Sequence, residues 1–169
     1  TCDQYAITNS NDTKKGQEKK KFMPAINVIH TRWTEPNKSK LAAIRLKVFV
    51  EEQRVPVAEE WDGADPDCEH FLAFTETGHC PGIGCARLMP SGQIGRMAVL
   101  IEHREHGIGR LLLDAAVAKA RELGMAEVFL HAQRHAEGFY AKAGFKPYGE
   151  EFLDANIPHI AMRLSPHHD

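Results

Sequence analysis

Residues 93–124, QIGRMAVLIEHREHGIGRLLLDAAVAKARELG, pass from a β-type run through a charged, glycine-containing turn into an amphipathic helix, and few architectures accommodate that succession. Residues 94–100 are short, apolar and β-compatible. Ile108, Leu112, Ala115, Ala116, Ala120 and Leu123 then recur at helical spacing, with Arg110, Asp114 and Arg121 opposite them. Gly124 stands where such a helix would stop. Arg104, Gly107 and Gly109 occupy the turn, which therefore offers unpaired backbone N–H groups at a helix N-terminus with little side-chain bulk in the way. That is the physics of a diphosphate cradle.

The rest of the sequence narrows the surroundings. A chain of 169 residues, 43% hydrophobic and 26% charged, suits one domain with a real core. A net charge of −2, with a basic run only at residues 14–21, predicts neither nucleic-acid nor membrane partners. Cys2, Cys68, Cys80 and Cys85 form no CxxC pair, which argues against a zinc knuckle or a redox dithiol and for reduced thiols in a cytoplasm. Ten histidines are scattered, so no metal is expected. No run approaches the roughly 20 apolar residues of a membrane span, and none resembles a signal peptide.

Residues 1–22 are polar and aperiodic, which predicts a disordered extension. A single domain is expected over residues 23–165, with a C-terminal tail at 166–169. Within the domain, residues 25–32 read as a strand, and Ser39 is placed to cap a helix running towards Val50. Residues 57–69 are mostly acidic, either a solvated connection or a lure for a cationic substrate. Strands follow at 70–75 and 82–89, joined by a turn at 76–79, and a turn at 90–92 leads into 94–100. Beyond the helix come a strand at 127–132, a short helix at 136–143 and two closing strands at 146–151 and 157–164. The pattern predicts an α+β fold, a mixed but mostly antiparallel sheet with helices on both faces. The strands flanking the glycine turn and its helix should be neighbours, splayed at the turn end to form a cleft.

Two motifs now coincide. Val99-x-x-x-x-Arg104-x-x-Gly107-x-Gly109 follows a strand, and His135-Ala136-Glu137-Gly138-Phe139-Tyr140-Ala141-Lys142-Ala143-Gly144-Phe145 follows at the right separation. Together they resemble the GNAT superfamily of acetyl-coenzyme A N-acyltransferases. Arg45, Val48, Phe49, Glu52, Gln53, Val55 and Pro56 upstream, with Ile157-Pro158-His159-Ile160 downstream, are similar to the ElaA/YjcF-like subgroup.

The resemblance implies an N-acetyltransferase moving an acetyl group to a primary amine by direct sequential transfer, with a small-molecule or peptide acceptor and room for a homodimer. It implies that Met97, Ala98 and Val99 pair with the pantetheine arm. Arg104, Glu105, His106, Gly107, Ile108, Gly109 and Arg110 would hold the diphosphate, and Gln133 and Phe139 would complete the cofactor site. Tyr140 would protonate the leaving thiolate, its alternative being a core aromatic. The carboxylate some members use as base falls at Gln93, so the base is sought among His131, His135 and His159. Glu52 and Gln53, with His159, could line the acceptor pocket. Cys85 reads as a buried residue rather than a nucleophile. A non-catalytic coenzyme A-binding regulatory module is the alternative, and acyl-homoserine lactone synthesis a more distant one.

Overall fold

The computed structural model describes residues 24–76 and 81–166. The expected N-terminal extension, most of the 76–79 turn, Cys2, Cys80 and residues 167–169 lie outside them. Among these residues seven strands and four α-helices follow in the order β1 (Ile26–Thr31), α1 (Asn37–Arg45), α2 (Val57–Glu60), β2 (Glu69–Thr75), β3 (Gly84–Leu88), β4 (Ile94–Val99), α3 (Ile108–Glu122), β5 (Val128–Gln133), α4 (Glu137–Lys142), β6 (Lys146–Asp154) and β7 (Ile157–Leu164). The first four strands form an antiparallel meander, β1-β2-β3-β4. The last three form a second sheet, β5-β7-β6, in which β7 lies between the other two.

Strand alternation sorts the core into two layers. Phe71, Ala73, Ala86, Met97 and Val99 pack with Ile108, Leu112 and Ala116 of α3, whereas Leu72, Cys85 and Ala98 pack with Leu41 and Ile44 of α1. The expected helices on both faces are therefore present. Helix α1 starts at Asn37 with Pro36 before it, so Ser39 is not its cap. Ser39 stands inside the first turn and donates from its hydroxyl to the Glu35 carboxylate at 2.8 Å. The helix widens into π-type turns over Leu46–Glu52, which keep Val48 and Phe49 buried.

Strand β4 carries a bulge. Cys85 pairs with Ala98 but Arg87 with Gly95, leaving one extra residue on β4, and Arg96 takes a φ of 50°. The extra residue shifts the alternation, so Ile94 and Met97, three apart, both enter the α3 layer.

The acidic segment is solvated only in part: Glu59, Asp62 and Asp67 are exposed, whereas Glu60 and Asp65 are enclosed. Glu60, Asp65, Arg45, Arg87 and Arg96 are all buried on the α1 side. Arg45 binds Glu60 at 2.5 Å and Asp65 at 2.7 Å, and Arg87 binds Asp62 at 2.7 Å and Asp65 at 3.0 Å. Arg96 approaches Glu60 and Asp62, each at 3.3 Å. The Arg45 guanidinium also lies over the Trp61 and Trp33 rings, 4.7 and 5.4 Å from their centroids. Removing one member of such a network strands its partner's charge, at a cost of about 3–5 kcal/mol.

A pH dependence follows from it. Burial alone would raise the Asp62 and Asp65 carboxyls, but hydrogen bonds from Arg87 to the first and Arg45 to the second hold both below their ordinary value of 3.8. They contribute stability above pH 3.8 that is lost as pH falls through their lower folded values. Burial, opposed by Arg45 and Arg96, raises Glu60 above 4.5, so its contribution is complete below that value and fades as pH rises. Urea unfolding should thus show a steep loss of stability between pH 4 and pH 2, shallower in Asp62→Asn. Equal slopes for the two proteins would remove Asp62 from this role.

Candidate active site between the diverging strands

The two sheets touch through an isolated parallel bridge between Gln93 and Phe129, where Phe129 N–H donates to Gly92 C=O at 3.1 Å. Gly92 permits this approach. At its φ of 87° a Cβ would lie 2.8 Å from the Glu127 carbonyl oxygen. Beyond the bridge β4 and β5 diverge towards the glycine turn, which gives the expected cleft. Leu100 N–H donates to Ile83 C=O on the β3 side, so the alternation turns the N–H and C=O groups of Met97 and Val99 towards the cleft.

The open end of the cleft is the start of α3. Gly107 precedes the helix in the left-handed region at φ 77°, as does Glu105 at φ 65°, and a Cβ on Gly107 would find no atom within 4 Å. Leu111 N–H is the donor that reaches back to the Gly107 carbonyl. Helix geometry leaves the N–H groups of Ile108, Gly109 and Arg110 without intrahelical acceptors, facing the space over the turn. The positive end of the helix dipole adds to the anion preference.

Side chains at this end are partly engaged. Arg104 donates from Nε to Val99 C=O at 2.9 Å and from both terminal nitrogens to the Glu52 carboxylate at 2.7 Å. Glu52 therefore fastens the end of the α1 segment to the turn. Arg110 pairs with Asp114 at 2.8 Å, and His106 is exposed with Nδ1 near the His103 carbonyl.

Tyr140 of α4 is 2% exposed, and its hydroxyl lies 3.8 Å from Met97 Sδ on β4. The rings of Phe139 and Phe145 hold it edge-on at 5.0 and 6.1 Å. Gln133 is buried at the end of β5, and its amide nitrogen has no partner. His131 and Gln133 occupy the β5 face away from α3, where His131 meets Phe152 edge-on at 5.0 Å. His159, opposite Gln133 on β7, is fully buried and stacks with Phe152 at 5.8 Å. Its Nδ1 lies 2.7 Å from Ile157 C=O, and a carbonyl only accepts, so Nδ1 donates there, while Nε2 has no hydrogen-bond partner. His135 is exposed past the end of β5, and Gln53 is half-buried with its Oε1 unpartnered.

Cys85 cannot serve as a nucleophile. Burial pushes its thiol up to about 12, and Sγ donates to Arg96 C=O at 3.3 Å. Among the described residues, no group of three or more His, Cys, Asp or Glu could hold a metal ion, and no helix is long and apolar enough to cross a membrane.

A cleft with one free strand edge, closed by a bridge and opening onto a bare helix N-terminus, has counterparts among known proteins. The acetyltransferase (GNAT) domain family matches residues 38–166. The uncharacterized N-acetyltransferase YjcF of Bacillus subtilis is 38% identical over 122 residues, covering 70% of this chain and 86% of its own. An acyl-CoA N-acyltransferase from Pseudomonas aeruginosa superposes with a TM-score of 0.72 at 30% identity, covering 82% of this chain and 99% of its own. Escherichia coli ElaA gives 0.73 at 26% identity over 82% of this chain and 99% of its own. With its cleft and these relatives in agreement, the chain belongs to the GNAT acetyltransferase family, in the ElaA/YjcF-like subgroup, and is an acyltransferase.

Proposed function

We propose that the protein moves an acetyl group from acetyl-coenzyme A to a primary amine by direct attack, with no covalent enzyme intermediate. The observation that carries this reading is Tyr140, whose hydroxyl lies 3.8 Å from Met97 Sδ, on the strand with its edge turned to the cleft. The donor supplies an acyl group already activated as a thioester. Its diphosphate fits the N–H groups of Ile108, Gly109 and Arg110 and the open space over Gly107. The pantetheine amides fit the backbone of Met97 and the Val99 N–H, the Val99 carbonyl already accepting from Arg104, and the orphaned Gln133 amide would donate to one of their carbonyls. The use of acyl-coenzyme A by the Pseudomonas aeruginosa relative supports this choice of donor.

Tyr140 donates a proton to the departing thiolate, a suitable pairing because both groups are comparably basic. A free backbone N–H on β4 stabilises charge developing on the thioester oxygen. His131 is the base the register favours. The bridge sets Phe129 against Gln93, so two residues further on His131 stands across from Gly95, beside the bulge and on the side away from α3. Acid and base thus flank β4 from opposite faces, and proximity supplies much of the rate.

Thiol release from acetyl-coenzyme A should accelerate with at least one class among amino acids, polyamines, aminoglycosides and peptides. His131→Gln should then lower kcat about tenfold or more, with acetyl-coenzyme A affinity preserved. Coenzyme A binding with no thiol release on any amine would instead leave a binding module.

A further inference from the structure

Residues 101–107 join β4 to α3 and lead into the diphosphate cradle, yet they have little of their own to hold them in place. None of their side chains is buried, and Ile101, the one large apolar residue among them, is 66% exposed. Glu105 and Gly107 both take left-handed φ values, 65° and 77°. The hydrogen bonds made here are local: His103 N–H donates to Leu100 C=O, Arg104 N–H to Ile101 C=O, and His106 Nδ1 lies near His103 C=O. A segment of exposed backbone without an apolar anchor opens at little cost in free energy.

Arg104 is the exception. Its side chain is only 10% exposed and reaches out of the segment twice, from Nε to Val99 C=O at 2.9 Å and from both terminal nitrogens to the two Glu52 carboxylate oxygens, each at 2.7 Å. A two-pronged, charge-assisted contact of this kind fixes orientation as well as position. Glu52 is brought to it by the π-type turns that follow α1. At ordinary helical spacing it would share a face with Val48 and Phe49, four and three residues earlier and both buried. The wider turns, marked by Gln53 N–H donating to Val48 C=O, rotate it off that face.

We infer that Glu52 is a positioning residue of the cofactor site: by gripping Arg104 it holds residues 101–107 in the shape that receives the diphosphate, and it acts there rather than in the acceptor pocket. This inference rests on the reading of coenzyme A as the donor and adds to it a residue from outside the strand, turn and helix that would touch the ligand. A turn held in advance loses less freedom when the ligand arrives, so the grip strengthens binding. Charge alone predicts the opposite sign, since removing a carboxylate and freeing a guanidinium would favour an anion.

Glu52→Gln keeps the size of the side chain and removes its charge. Calorimetry on the full chain should show coenzyme A bound about tenfold more weakly, with pantetheine, which keeps the amides and lacks the diphosphate, bound as before. Arg104→Met should also weaken coenzyme A binding, and the double variant should be no weaker than Arg104→Met alone, because the two residues act as one unit. Amide hydrogen exchange without ligand should quicken about tenfold or more across residues 101–107 and stay unchanged over residues 112–120 of α3. Tighter or unchanged coenzyme A binding in Glu52→Gln, or equal losses for coenzyme A and pantetheine, overturns the inference while the donor stands. A wild-type chain that binds no coenzyme A overturns the donor reading itself, and exchange then decides whether Glu52 holds the turn. Quickening confined to residues 101–107 supports the grip; rates equal to those of the wild type overturn it.

Discussion

Gly107→Asp is expected to weaken acetyl-coenzyme A binding by about a hundredfold while barely moving the melting temperature. The two effects separate because of where the new side chain stands. No heavy atom lies within 4 Å of a Cβ at this position, so the folded protein makes room for it. The left-handed φ of 77° costs an L-residue about 1–2 kcal/mol, least for Asp and Asn. A negative charge at the start of α3 returns about 0.3–1 kcal/mol through the helix dipole. For a bound diphosphate the balance is different. Two like charges about 5 Å apart at an effective dielectric of about 20 repel by about 3 kcal/mol, which is roughly two decades in affinity. Gly107→Asn supplies the same bulk without charge and should retain most of the binding. Calorimetric affinities within threefold for all three proteins would sink the cradle assignment.

Tyr140→Phe should lower kcat by about a hundredfold or more and leave acetyl-coenzyme A affinity within a few-fold, the range expected when a positioned general acid is lost. The ring is fixed by Phe139 and Phe145, so phenylalanine keeps the packing. What disappears is the hydroxyl beside Met97 Sδ. A variant on which the amine attacks normally but the thiolate leaves unprotonated should also recover with thioesters of more acidic thiols. Unchanged turnover, or equal losses with good and poor leaving groups, would return Tyr140 to a purely structural part.

The strand, turn and helix at the centre of the chain were legible because everything that defines them is local. Gly107 and Gly124 mark the ends of α3, and its apolar stripe identifies the buried side. The divergence of β4 from β5 was also readable from connectivity. The acidic segment was not, since Asp, Glu, Gly and Pro in close succession look solvated when read alone. Its partners Arg87 and Arg96 stand 25 and 34 residues from Asp62. A signal existed nonetheless: each of these arginines interrupts an otherwise apolar strand, and a charge inside a buried strand demands a buried counter-charge. The bulge at Arg96 left no such mark, because a positive φ is expected of glycine. The position of β7 between β5 and β6 likewise depends on long-range pairing that a local hairpin pattern leaves open.

The inward-facing edge of β4 bears on self-association as well as on chemistry. An unpaired strand edge normally invites another chain to dock and extend the sheet, and proteins protect such edges with charges, prolines or a covering element. Here the edge is turned towards β5, out of reach of a broad, flat partner strand flanked by its own neighbours. A narrow flexible arm carrying a few amides faces no such obstacle. The divergence that admits a slender ligand therefore also excludes the bulky strands through which sheets aggregate.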